Sequence, residues 1–590
     1  MPVTTPTVIQ SDSIISPDGH FRVSAGPGAG KTYWLVEHIK NVLQHSGNLG
    51  KSKKIACITY TNIAADTIVR RLDFVAERVE VSTIHAFLYK HVIKPYATFI
   101  AAEYELNVGK MDGHDDHFPS GKKIKYWLDN HPNRTTLASP YTYNQLVQRP
   151  NNFAALKNWL ESISYQLTSQ GIFIVADNSK AVHITNGSTT RLAKQACLDK
   201  LDTALLGYKK IYWKDGILHH EDVLFFAHKL ITRFPFILTI LKAKFPYFFI
   251  DEFQDTNPIQ ADILRLLGDT LVNVGIIGDK AQSIYKFQGA DMKQFDDFKL
   301  PALKDFMIAD NRRSTNSIID VLNSVRSDIF QKPVRQEQGT RPIIYVGDMT
   351  AAVTAVKSIC GTSPIATLSR DNITANTMKR QLNTSTPSSN LIDDIFDLDG
   401  DSKRRKTVVY TINAIELARQ KRFKEAIKEI SKNFREITDK GVRKKIAFLK
   451  LSLLLSEYEA YKSQPLLTFF QLLKQHINPS LSRVTGGKPQ IFYTAFTYEQ
   501  LAVCVSIQDD NSLNRTIHKA KGDEFDNVVV ILKEEANLTF LLNPSLLTTE
   551  EHRIFYVGIS RTRERLFISV PTLDTSKETK LRHWFDIVRL

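Results

Sequence analysis

The stretch Phe21–Thr32 reads FRVSAGPGAGKT and decides the fold of this chain. A short β-rich run, Phe21–Ser24, leads into the glycine-rich segment, and an amphipathic helical pattern follows it. This strand–loop–helix order is typical of a phosphate-binding loop, in which backbone N–H groups and a helix N-terminus surround the β-phosphate. Lys31 is expected to reach the β- and γ-phosphates, and the Thr32 hydroxyl to ligate Mg²⁺. The stretch therefore predicts a site for a nucleoside triphosphate and its metal ion.

The loop departs from the strict phosphate-binding pattern at one position. Its first residue is Ala25 where the pattern has glycine, so the difference is one methyl group. An ordinary glycine-rich turn that caps a helix is the alternative interpretation. In the preferred interpretation, the residues around the phosphates are Ala25, Gly26, Gly28, Ala29, Gly30, Lys31 and Thr32.

The composition of the 590-residue chain narrows the class of protein. The net charge of +15 at pH 7 favours a polyanionic partner, nucleic acid before membrane. The cysteines, Cys57, Cys197, Cys360 and Cys504, lie far apart, which disfavours a zinc site or a disulfide framework and suits a reducing cytoplasm. No apolar run in the sequence reaches the roughly 18 residues that cross a bilayer, and we expect no signal peptide. The expected location is the cytoplasm.

Polar and aromatic residues follow two further predicted strands. Tyr60, Thr61 and Asn62 come after one buried run, and Thr83 and His85 come after the next. Ligands bind at the carboxyl ends of parallel strands, and hydroxyl groups with aromatic rings suit the phosphates and bases of a single strand. Helix capping by the hydroxyl groups is the alternative interpretation. These residues are therefore candidates for contacts with single-stranded nucleic acid.

A second decisive stretch carries two adjacent carboxylates. The apolar run Tyr247–Ile250 is a predicted strand, and Asp251 and Glu252 follow it directly. Beside a phosphate-binding loop, Asp251 is expected to hold Mg²⁺, directly or through water, and Glu252 to orient or deprotonate the attacking water. The alternative is a charged loop after a strand. The pair predicts hydrolysis of the triphosphate.

One segment after the next predicted strand combines two kinds of side chain. The strand Val274–Asp279 leads to Gln282, whose amide suits the γ-phosphate. Tyr285 and Phe287 follow, and their rings suit base stacking. This segment is expected to lie between the nucleotide and the nucleic acid.

Two groups of possible metal ligands are interpreted as ordinary loops. His114-Asp115-Asp116-His117 is flanked by Gly113 and Pro119, and consecutive residues do not place four ligands tetrahedrally, so a solvated loop is expected. The acidic stretch from Asp393 to Asp401 lacks the spacing of an EF-hand calcium loop and is expected to be a linker.

The order of these motifs resembles that of superfamily 1 helicases of the UvrD/Rep/PcrA type. The matching segments are AGPGAGKT (25–32), ITYTNIAAD (58–66), VSTIHAF (81–87), FIDEFQDTN (249–257), GDKAQSIYKFQGA (278–290), DNRRST (310–315), TIHKAKGDEF (516–525) and YVGISRTR (556–563). The resemblance spans nearly the whole chain. It implies a DNA helicase that uses ATP and Mg²⁺ and moves 3′→5′ along single-stranded or tailed DNA.

The resemblance also implies the fold class and the domain organisation. The fold class is α/β, with two RecA-like P-loop motor domains whose parallel sheets are flanked by helices, each carrying a mainly helical insertion. The implied boundaries are 1–88 and 217–300 for the first motor domain, 89–216 for its insertion, 301–378 and 491–590 for the second motor domain, and 379–490 for a basic helical insertion.

Further site residues follow from the resemblance, motif by motif. Arg313 and Arg561 are implied as the two arginines that reach the transferring phosphoryl group. Glu524 is implied as the ribose contact. Gln10 falls at the spacing of the family's adenine-reading glutamine, although by itself it would be an ordinary surface residue. Contacts with the strand are implied for Arg370, Asn372, Thr516 and His518.

Two pairs of residues depart from the family's pattern. The family encloses adenine between an arginine after the phosphate-binding loop and the tyrosine of an Asn-Tyr-Arg-Ser motif, and here these positions are Tyr33 and Arg312. A ring and a guanidinium would still enclose the base, with their positions exchanged. Phe287-Gln288 stands where the family usually has Trp-Arg, which keeps a stacking ring and removes an arginine.

Two main classes of function are open at this point. The first is an autonomous DNA translocase and helicase. The second is a nucleic-acid-sensing ATPase subunit that regulates a partner nuclease in anti-phage defence, because subunits paired with an OLD-type endonuclease in Gabija systems look broadly similar. A nuclease or another repair or defence protein is therefore an expected partner, and a membrane is not. An ATPase unrelated to nucleic acid would leave the strand-contacting motifs unexplained.

Overall fold

The computed structural model of the chain describes residues 5–115, 117, 119–185, 188–192, 194–268, 272–286, 289–380, 387, 390–505 and 512–590. The described chain divides into two compact units. The first is made of the described parts of Met1–Ile184, Ser188–Gly339 and Asn543–Ser560. The second is made of those of Thr185–Gly187, Thr340–Leu542 and Arg561–Leu590.

The strands are short and mostly parallel. In chain order they are β1 (Thr7–Ile9), β2 (Phe21–Ala25), β3 (Ile55–Thr59), β4 (Val79–Thr83), β5 (Ser164–Thr168), β6 (Gly171–Val175), β7 (Val182–Thr185), β8 (Ser188–Arg191), β9 (Tyr247–Ile250), β10 (Asn273–Gly278), β11 (Lys304–Ile308), β12 (Asp310–Asn311), β13 (Lys332–Pro333), β14 (Ile343–Val346), β15 (Ile365–Ser369), β16 (Asn514–Thr516), β17 (Phe525–Ile531), β18 (Thr562–Val570) and β19 (Asp586–Arg589).

The helices alternate with the strands and also form two blocks of their own. Up to residue 325 they are α1 (Lys31–His45), α2 (Asn62–Leu72), α3 (Ile84–Leu88), α4 (Lys94–Tyr96), α5 (Ala101–Tyr104), α6 (Gly121–Asp129), α7 (Tyr143–Gln148), α8 (Pro150–Glu161), α9 (Gln195–Asp202), α10 (Leu205–Trp213), α11 (His220–Arg233), α12 (Phe236–Lys244), α13 (Pro258–Leu267), α14 (Lys293–Asp297) and α15 (Asn316–Val325). Beyond it they are α16 (Met349–Cys360), α17 (Asn372–Arg380), α18 (Leu391–Leu398), α19 (Ser402–Arg419), α20 (Phe423–Ile430), α21 (Lys440–Ser456), α22 (Tyr458–Tyr461), α23 (Leu466–His476), α24 (Gly487–Ala495), α25 (Tyr498–Ala502), α26 (Thr539–Leu542), α27 (Glu550–Ile559) and α28 (Thr575–Leu581).

The first unit is built on a parallel sheet whose described strands number seven, in the order β1-β11-β2-β10-β9-β3-β4. β3 and β9 are buried along their whole length, which is why their sequences, IACIT and YFFI, are continuous apolar runs. The loops after β2, β3, β4, β9 and β10 leave the sheet at its carboxyl edge. The predicted nucleotide and strand residues on these loops therefore come together at one edge.

The first unit also contains a second hydrophobic core, inside the segment predicted as an insertion. Trp127, Trp159 and Tyr208 are buried there, on α6, α8 and α10. Besides its helices, this block contains the antiparallel pair β5–β6 and the pair β7–β8. Apolar periodicity did not predict these strands.

The second unit is built on another parallel sheet, with the described strands in the order β16-β15-β17-β18-β14-β19. β15 and β16 are neighbours although the helices α18–α25 lie between them in the sequence. These helices share a core that contains Ile412, Phe469 and Tyr493.

The division of the fold differs from the sequence-based boundaries in three places. β11 (Lys304–Ile308) pairs between β1 and β2, and the first unit continues to Gly339, beyond the predicted boundary after residue 300. Tyr498 on α25 packs in the core of the second helical block, beyond the predicted boundary at residue 490. Asn543–Ser560 belongs to the first unit, although it lies within the segment 491–590 predicted for the second motor domain. All three differences arise from pairing and packing partners that are distant in the sequence.

The sequence predicts a linker for the acidic stretch near residue 395, and this prediction is wrong. Leu391–Leu398 is a helix, and Asp399 behind it is fully buried. The Arg404 Nε and the Tyr493 hydroxyl donate to the Asp399 carboxylate at 2.7 Å and 2.9 Å. The expectation failed because the charge of Asp399 is compensated by an arginine inside the fold.

Among the described residues, no single helix has both the length and the apolar character needed to cross a membrane. α11 and α12 meet those two criteria only when taken together, and a bend of 105° separates them.

Candidate nucleotide and nucleic-acid site

The phosphate-binding loop connects β2 to α1. Gly28 and Gly30 have φ angles of +72° and +79°, a left-handed conformation that glycine adopts without strain. α1 begins at Lys31, so the N-terminal N–H groups of this helix lie next to the loop. The Lys31 Nζ donates to the carbonyl oxygens of Ala25 and Gly26, at 3.4 Å each. The loop thus brings a cation and backbone donors to one place, an arrangement that suits a phosphate group.

The loop is braced by the segment that follows β11. The Arg312 N–H donates to the Gly28 carbonyl oxygen at 2.9 Å, and the Gln331 Nε2 donates to the Pro27 carbonyl oxygen at 2.7 Å. A Cβ atom on Gly28 would lie only 2.5 Å from the Asn311 Oδ1. Sequence reasoning missed Gln331, because nothing local to it indicates a contact with a loop 304 residues earlier.

The two carboxylates after β9 have different surroundings. The Thr32 hydroxyl donates to the Asp251 carboxylate at 3.3 Å, and Asp251 is buried. Burial and the neighbouring charge of Glu252 raise the pKa of Asp251 to about 7. Glu252 has a φ angle of +54°, and its carboxylate accepts a hydrogen bond from the Gln254 side chain. A hydroxyl and a carboxylate are the oxygen ligands that Mg²⁺ prefers, so Thr32 and Asp251 fit this ion.

Gln282 is held by a buried network. Its Nε2 donates to the Asp279 carboxylate at 2.5 Å, and the Arg326 Nη1 donates to the same carboxylate at 3.0 Å. Burial alone would raise the pKa of Asp279, but the charges of Arg326 and Lys31 hold it below the usual value. Arg326 is a further residue that the sequence did not point to. The carboxylate of Asp279 therefore fixes the amide that was predicted to sense the γ-phosphate.

Arg313 lies beside the phosphate-binding loop. A Cβ on Gly28 would come within 2.9 Å of the Arg313 Cβ. The Arg313 Nη1 donates to the Ser560 carbonyl oxygen, just beyond α27, at 2.7 Å. The Arg553 Nε, on α27, donates to the Ser283 carbonyl oxygen at 2.6 Å. α27 thus contacts the segment that carries Gln282, and the residue directly after α27 contacts the predicted arginine finger.

The residues predicted to enclose adenine lie near the N-terminal segment. Gln10 is exposed, and its N–H donates to the Ser13 hydroxyl at 2.9 Å. The Arg312 Nε donates to the Ser11 hydroxyl, and its Nη2 lies 3.7 Å from the Asp12 carboxylate. Tyr33, on the first turn of α1, is 50% exposed, so its ring is accessible to a ligand.

Tyr60 and Tyr285 stack on each other at the carboxyl edge of the first sheet. Their ring centroids are 4.7 Å apart and the planes differ by 18°. Tyr60 follows β3, and Tyr285 lies three residues after Gln282 in the chain. The structure thereby brings together two residues that the sequence predicts as contacts with single-stranded nucleic acid. Phe287 and Gln288 lie outside the described residues.

Other residues of the first unit that were predicted to contact single-stranded nucleic acid lie at the starts of helices. The Thr61 hydroxyl accepts from the Ala64 N–H at 3.2 Å and the Thr83 hydroxyl from the Ala86 N–H at 3.3 Å, so both cap helices. Asn62 is the exposed first residue of α2. The alternative interpretation, helix capping, therefore describes the two threonines.

His85 belongs to a histidine cluster that the sequence did not predict. Burial and the neighbouring His220 and His114 lower the pKa of His85 to about 3. The His114 Nδ1 lies 2.6 Å from the His220 Nδ1, and the His117 Nδ1 lies 3.2 Å from the His219 Nε2. His114 and His117 are therefore packed against the start of α11 rather than in a solvated loop. Within the described chain, no group of three or more His, Cys, Asp or Glu residues could hold a metal ion.

The remaining predicted residues lie in the second unit. Ser369 and Thr516 are paired at the ends of β15 and β16, so Arg370 and His518 follow neighbouring strands at one edge of the sheet. Asn372 begins α17. Thr516 is buried, whereas Arg370 is exposed. These residues occupy the edge at which parallel sheets bind ligands.

The two residues predicted to complete the nucleotide site also belong to the second unit. Arg561 is buried, and its carbonyl oxygen accepts from the Phe525 N–H at 2.9 Å. Glu524 is exposed, and the Arg563 Nε lies 3.8 Å from its carboxylate. Within this unit, the two segments that carry Arg561 and Glu524 are therefore in contact.

Comparison with known families decides the relationship of the chain. The profile of the UvrD/REP helicase N-terminal domain matches residues 7–302, and that of the UvrD-like helicase C-terminal domain matches residues 401–572. The chain belongs to the UvrD/Rep helicase family. The resemblance inferred from the motifs is thereby confirmed. So is the predicted α/β fold class with two RecA-like motor domains, since both units contain a parallel sheet flanked by helices.

Curated relatives in this helicase family include PcrA proteins of staphylococci. The chain is 25% identical over 332 residues to the ATP-dependent DNA helicase PcrA of Staphylococcus aureus (strain Mu50), covering 55% of this chain and 40% of the relative. It is 26% identical over 323 residues to PcrA of Staphylococcus epidermidis (strain ATCC 12228), covering 54% and 39%. The matched region thus spans about two-fifths of these relatives.

Proposed function

We propose that the chain is an ATP-dependent, 3′→5′ translocase on single-stranded DNA that acts as a DNA helicase. The observation that carries the proposal is the course of residues 279–285. Asp279, at the start of this segment, accepts a hydrogen bond from the Gln282 amide. Tyr285, at its end, stacks on Tyr60. A residue suited to the γ-phosphate and a residue suited to a base therefore share one short segment. We propose that this segment transmits the state of the nucleotide to the bound DNA strand.

The phosphate-binding loop, Lys31 and Arg313 are proposed to hold the triphosphate. Glu252 orients the attacking water, and its carboxylate is positioned by the Gln254 amide. Mg²⁺, when bound by Thr32 and Asp251, neutralises charge on the phosphate oxygens. Together with Gln282 and Arg561, these residues are proposed to carry out ATP hydrolysis.

Adenine is proposed to lie between the Tyr33 ring and the Arg312 guanidinium. Tyr33 is half exposed, and Arg312 is placed by Ser11 and Asp12, which directly follow Gln10. Gln10 would then read the base, because a glutamine amide both donates and accepts hydrogen bonds. Glu524 is proposed to bind the ribose.

In each unit, the residues proposed to contact the DNA strand lie at the carboxyl edge of the sheet. In the first unit the Tyr60–Tyr285 pair offers aromatic faces for bases, and His85, Asn62 and Phe287 are further candidates. In the second unit the candidates are Arg370, Asn372, Thr516 and His518. Thr61 and Thr83 cap helices, so their contribution would come mainly from the N-terminal N–H groups that they position. The 3′→5′ direction rests on the family resemblance.

The proposal is tested by measuring ATP hydrolysis with and without single-stranded DNA. The wild type is expected to be stimulated strongly, and Lys31→Ala and Glu252→Gln are expected to abolish hydrolysis. Lys31→Ala should also lose ATP binding, whereas Glu252→Gln should retain it, because Lys31 is proposed to contact the phosphates and Glu252 the attacking water. No stimulation of a folded wild-type protein by any single strand would overturn the proposal.

A second assay separates the helicase from the regulatory ATPase considered above. Unwinding of a 3′-tailed duplex, without unwinding of a 5′-tailed duplex, supports an autonomous 3′→5′ helicase. DNA-stimulated hydrolysis without unwinding of either duplex would favour an ATPase subunit that signals to a partner nuclease in anti-phage defence.

A further inference from the structure

Gln254 lies in the loop after β9, two residues beyond Glu252, and its side chain is fully buried. It is not among the site residues predicted from the sequence. Burying an amide costs free energy unless its donor and acceptor atoms both find partners. The partners of this amide therefore indicate what it holds in place.

The nitrogen end of the amide contacts carboxylates. The Gln254 Nε2 donates to the Glu252 carboxylate, and it also lies 3.4 Å from the Asp255 Oδ2. The backbone of Glu252 has a φ angle of +54°, a left-handed conformation that residues other than glycine seldom adopt. The Gln254 amide therefore helps to fix the carboxylate that is proposed to orient the attacking water.

The oxygen end of the amide, and the backbone of the same residue, contact the segment 279–285. The Gln254 Oε1 accepts a hydrogen bond from the Asp279 N–H at 2.9 Å. The Gln254 carbonyl oxygen accepts a second one from the Ser283 hydroxyl at 3.0 Å. The Asp279 carboxylate in turn holds the Gln282 amide. Residue 254 is therefore bonded to this segment on both sides of Gln282.

The amide has no room to turn away from these partners. A Cβ atom on Gly278, the last residue of β10, would lie only 2.5 Å from the Gln254 Oε1. The hydrogen bonds from Asp279 and Ser283 are themselves buried. Because packed interiors deform little, a displacement of the segment displaces the amide as well. The side chain of Gln254 thus connects this segment to the Glu252 carboxylate.

We propose that Gln254 is a positioning residue through which the DNA strand controls the water-orienting carboxylate. A base that stacks at Tyr285 displaces the segment 279–285, and the two hydrogen bonds to residue 254 pass this displacement on to Glu252. Hydrolysis is then fast only when Glu252 points at the attacking water. The inference rests on the proposed DNA-stimulated ATPase. It adds a route that acts on the water and is separate from the contact of Gln282 with the γ-phosphate.

The chemistry of the amide determines the variants. Gln254→Glu keeps an oxygen for the Asp279 N–H but cannot donate to Glu252, because an ionised carboxylate only accepts hydrogen bonds. Gln254→Met makes neither side-chain hydrogen bond and adds no charge. Gln260→Glu is the matched control. Gln260 is also buried, but its Oε1 accepts from the Asn257 N–H at 3.1 Å and caps α13.

The test measures the rate of ATP hydrolysis by the full-length protein at saturating ATP, with and without saturating oligo-dT. The wild type is expected to be stimulated strongly. Both Gln254 variants are expected to reduce the ratio of stimulated to basal rates about tenfold, since a small misplacement of a catalytic group is costly. Their KM for ATP and their affinity for oligo-dT should match those of the wild type. Gln260→Glu should keep the wild-type ratio.

Ser283→Ala provides a second test, which leaves the Gln254 amide intact. It should lower the same ratio, and it should cause no further loss in the Gln254→Met background, because both changes interrupt one route. Circular dichroism verifies the fold of each variant, and Gln254→Met decides the outcome if Gln254→Glu unfolds.

Stimulation of Gln254→Met by the wild-type factor would overturn the inference, and so would an equal fall of its basal and stimulated rates. In either case a stimulated wild type leaves the proposed function standing. A wild type that oligo-dT does not stimulate would overturn the proposed function, and this inference with it.

Discussion

Arg326 and Asp279 form an ion pair in the interior of the first unit. The Arg326 Nη2 lies 2.8 Å from the Asp279 Oδ1, and the two side chains are 1% and 0% exposed. The arginine also pairs with Asp328, with the Nε 2.6 Å from the Asp328 Oδ1. Because Asp279 in turn receives the Gln282 amide, one arginine supports both the fold and the proposed γ-phosphate sensor.

Replacing Arg326 should lower the stability of the first unit. Arg326→Met is expected to lower the free energy of unfolding by about 3–5 kcal/mol, because it leaves the buried Asp279 carboxylate without its cation. Urea unfolding measures the loss. Arg233→Met is the control, since Arg233 pairs with Glu103 on the surface and should cost below about 1 kcal/mol. Equal losses in the two variants would contradict the prediction.

The phosphate-binding loop should have no room for a side chain at Gly28. Gly28→Ala is expected to abolish ATP binding, since a Cβ would lie 2.5 Å from the Asn311 Oδ1 and the φ angle of +72° disfavours alanine. Gly47→Ala is the matched control, because no heavy atom lies within 4 Å of its Cβ position. Fluorescence titration with an ATP analogue compares the two. Wild-type affinity in Gly28→Ala would refute the predicted clash at this position.

Glu221 should make stability depend on pH. Burial and the adjacent Asp222 raise the pKa of Glu221 to about 7, with Lys209 opposing the shift. From about pH 4.5 to 7 the folded protein keeps a proton that the unfolded chain releases, so stability falls as pH rises. Glu221→Gln removes this effect. The free energy of unfolding of Glu221→Gln, relative to that of the wild type, is expected to be about 2 kcal/mol higher at pH 8 than at pH 5.5.

Unfolding curves at the two pH values check this prediction for Glu221. Glu436→Gln, which changes an exposed carboxylate, serves as the control for removing a glutamate charge. A Glu221→Gln variant that behaves like this control would refute the predicted proton uptake.

The stacked tyrosines should contribute to DNA binding through their rings. Tyr285→Ala is expected to weaken binding of single-stranded DNA by about 1–3 kcal/mol, the usual cost of removing one stacking platform. Tyr285→Phe keeps the ring and should bind nearly as the wild type does. Fluorescence anisotropy with a labelled oligonucleotide provides the measurement. If the phenylalanine variant loses as much as the alanine variant, the hydroxyl group rather than the ring makes the contact.

The exchanged pair around adenine gives a separate prediction. Tyr33→Ala should weaken ATP binding about tenfold, because it removes one face of the proposed enclosure. Tyr126→Ala is the control, as Tyr126 is similarly exposed but lies on α6. Equilibrium dialysis with ATP measures both. Unchanged affinity in Tyr33→Ala would rule out the exchanged arrangement.

The parts of the fold that the sequence predicted are those set by local patterns. β3 and β9 were recognisable because strands buried on both faces are continuous apolar runs. The phosphate-binding loop was recognisable because its glycines, Lys31 and Thr32 are consecutive. Residues that follow such strands, including Tyr60 and Asp251, could then be assigned to one edge of the sheet.

The parts that escaped prediction depend on contacts between distant segments. Gln331 reaches a loop 304 residues earlier, and Arg326 reaches Asp279 across 47 residues, without any spacing that marks them. The sequence around Asp399 predicts a linker, because the compensating Arg404 meets Asp399 only when the helices pack. The sequence predicts a solvated loop for the histidines near residue 115, because nothing local marks their partners, His219 and His220, much later in the chain.

The amide of Asn376 has a consequence for how this chain can change over evolutionary time. By bonding to the backbone at Val503 and Val505, it holds the departing and returning segments of the helical block together. A polypeptide that leaves and rejoins a sheet at a single point can be lengthened, shortened or exchanged there without shifting any strand. The block α18–α25 is therefore the part of the second unit that is most free to diversify, while the sheet beneath it stays constant.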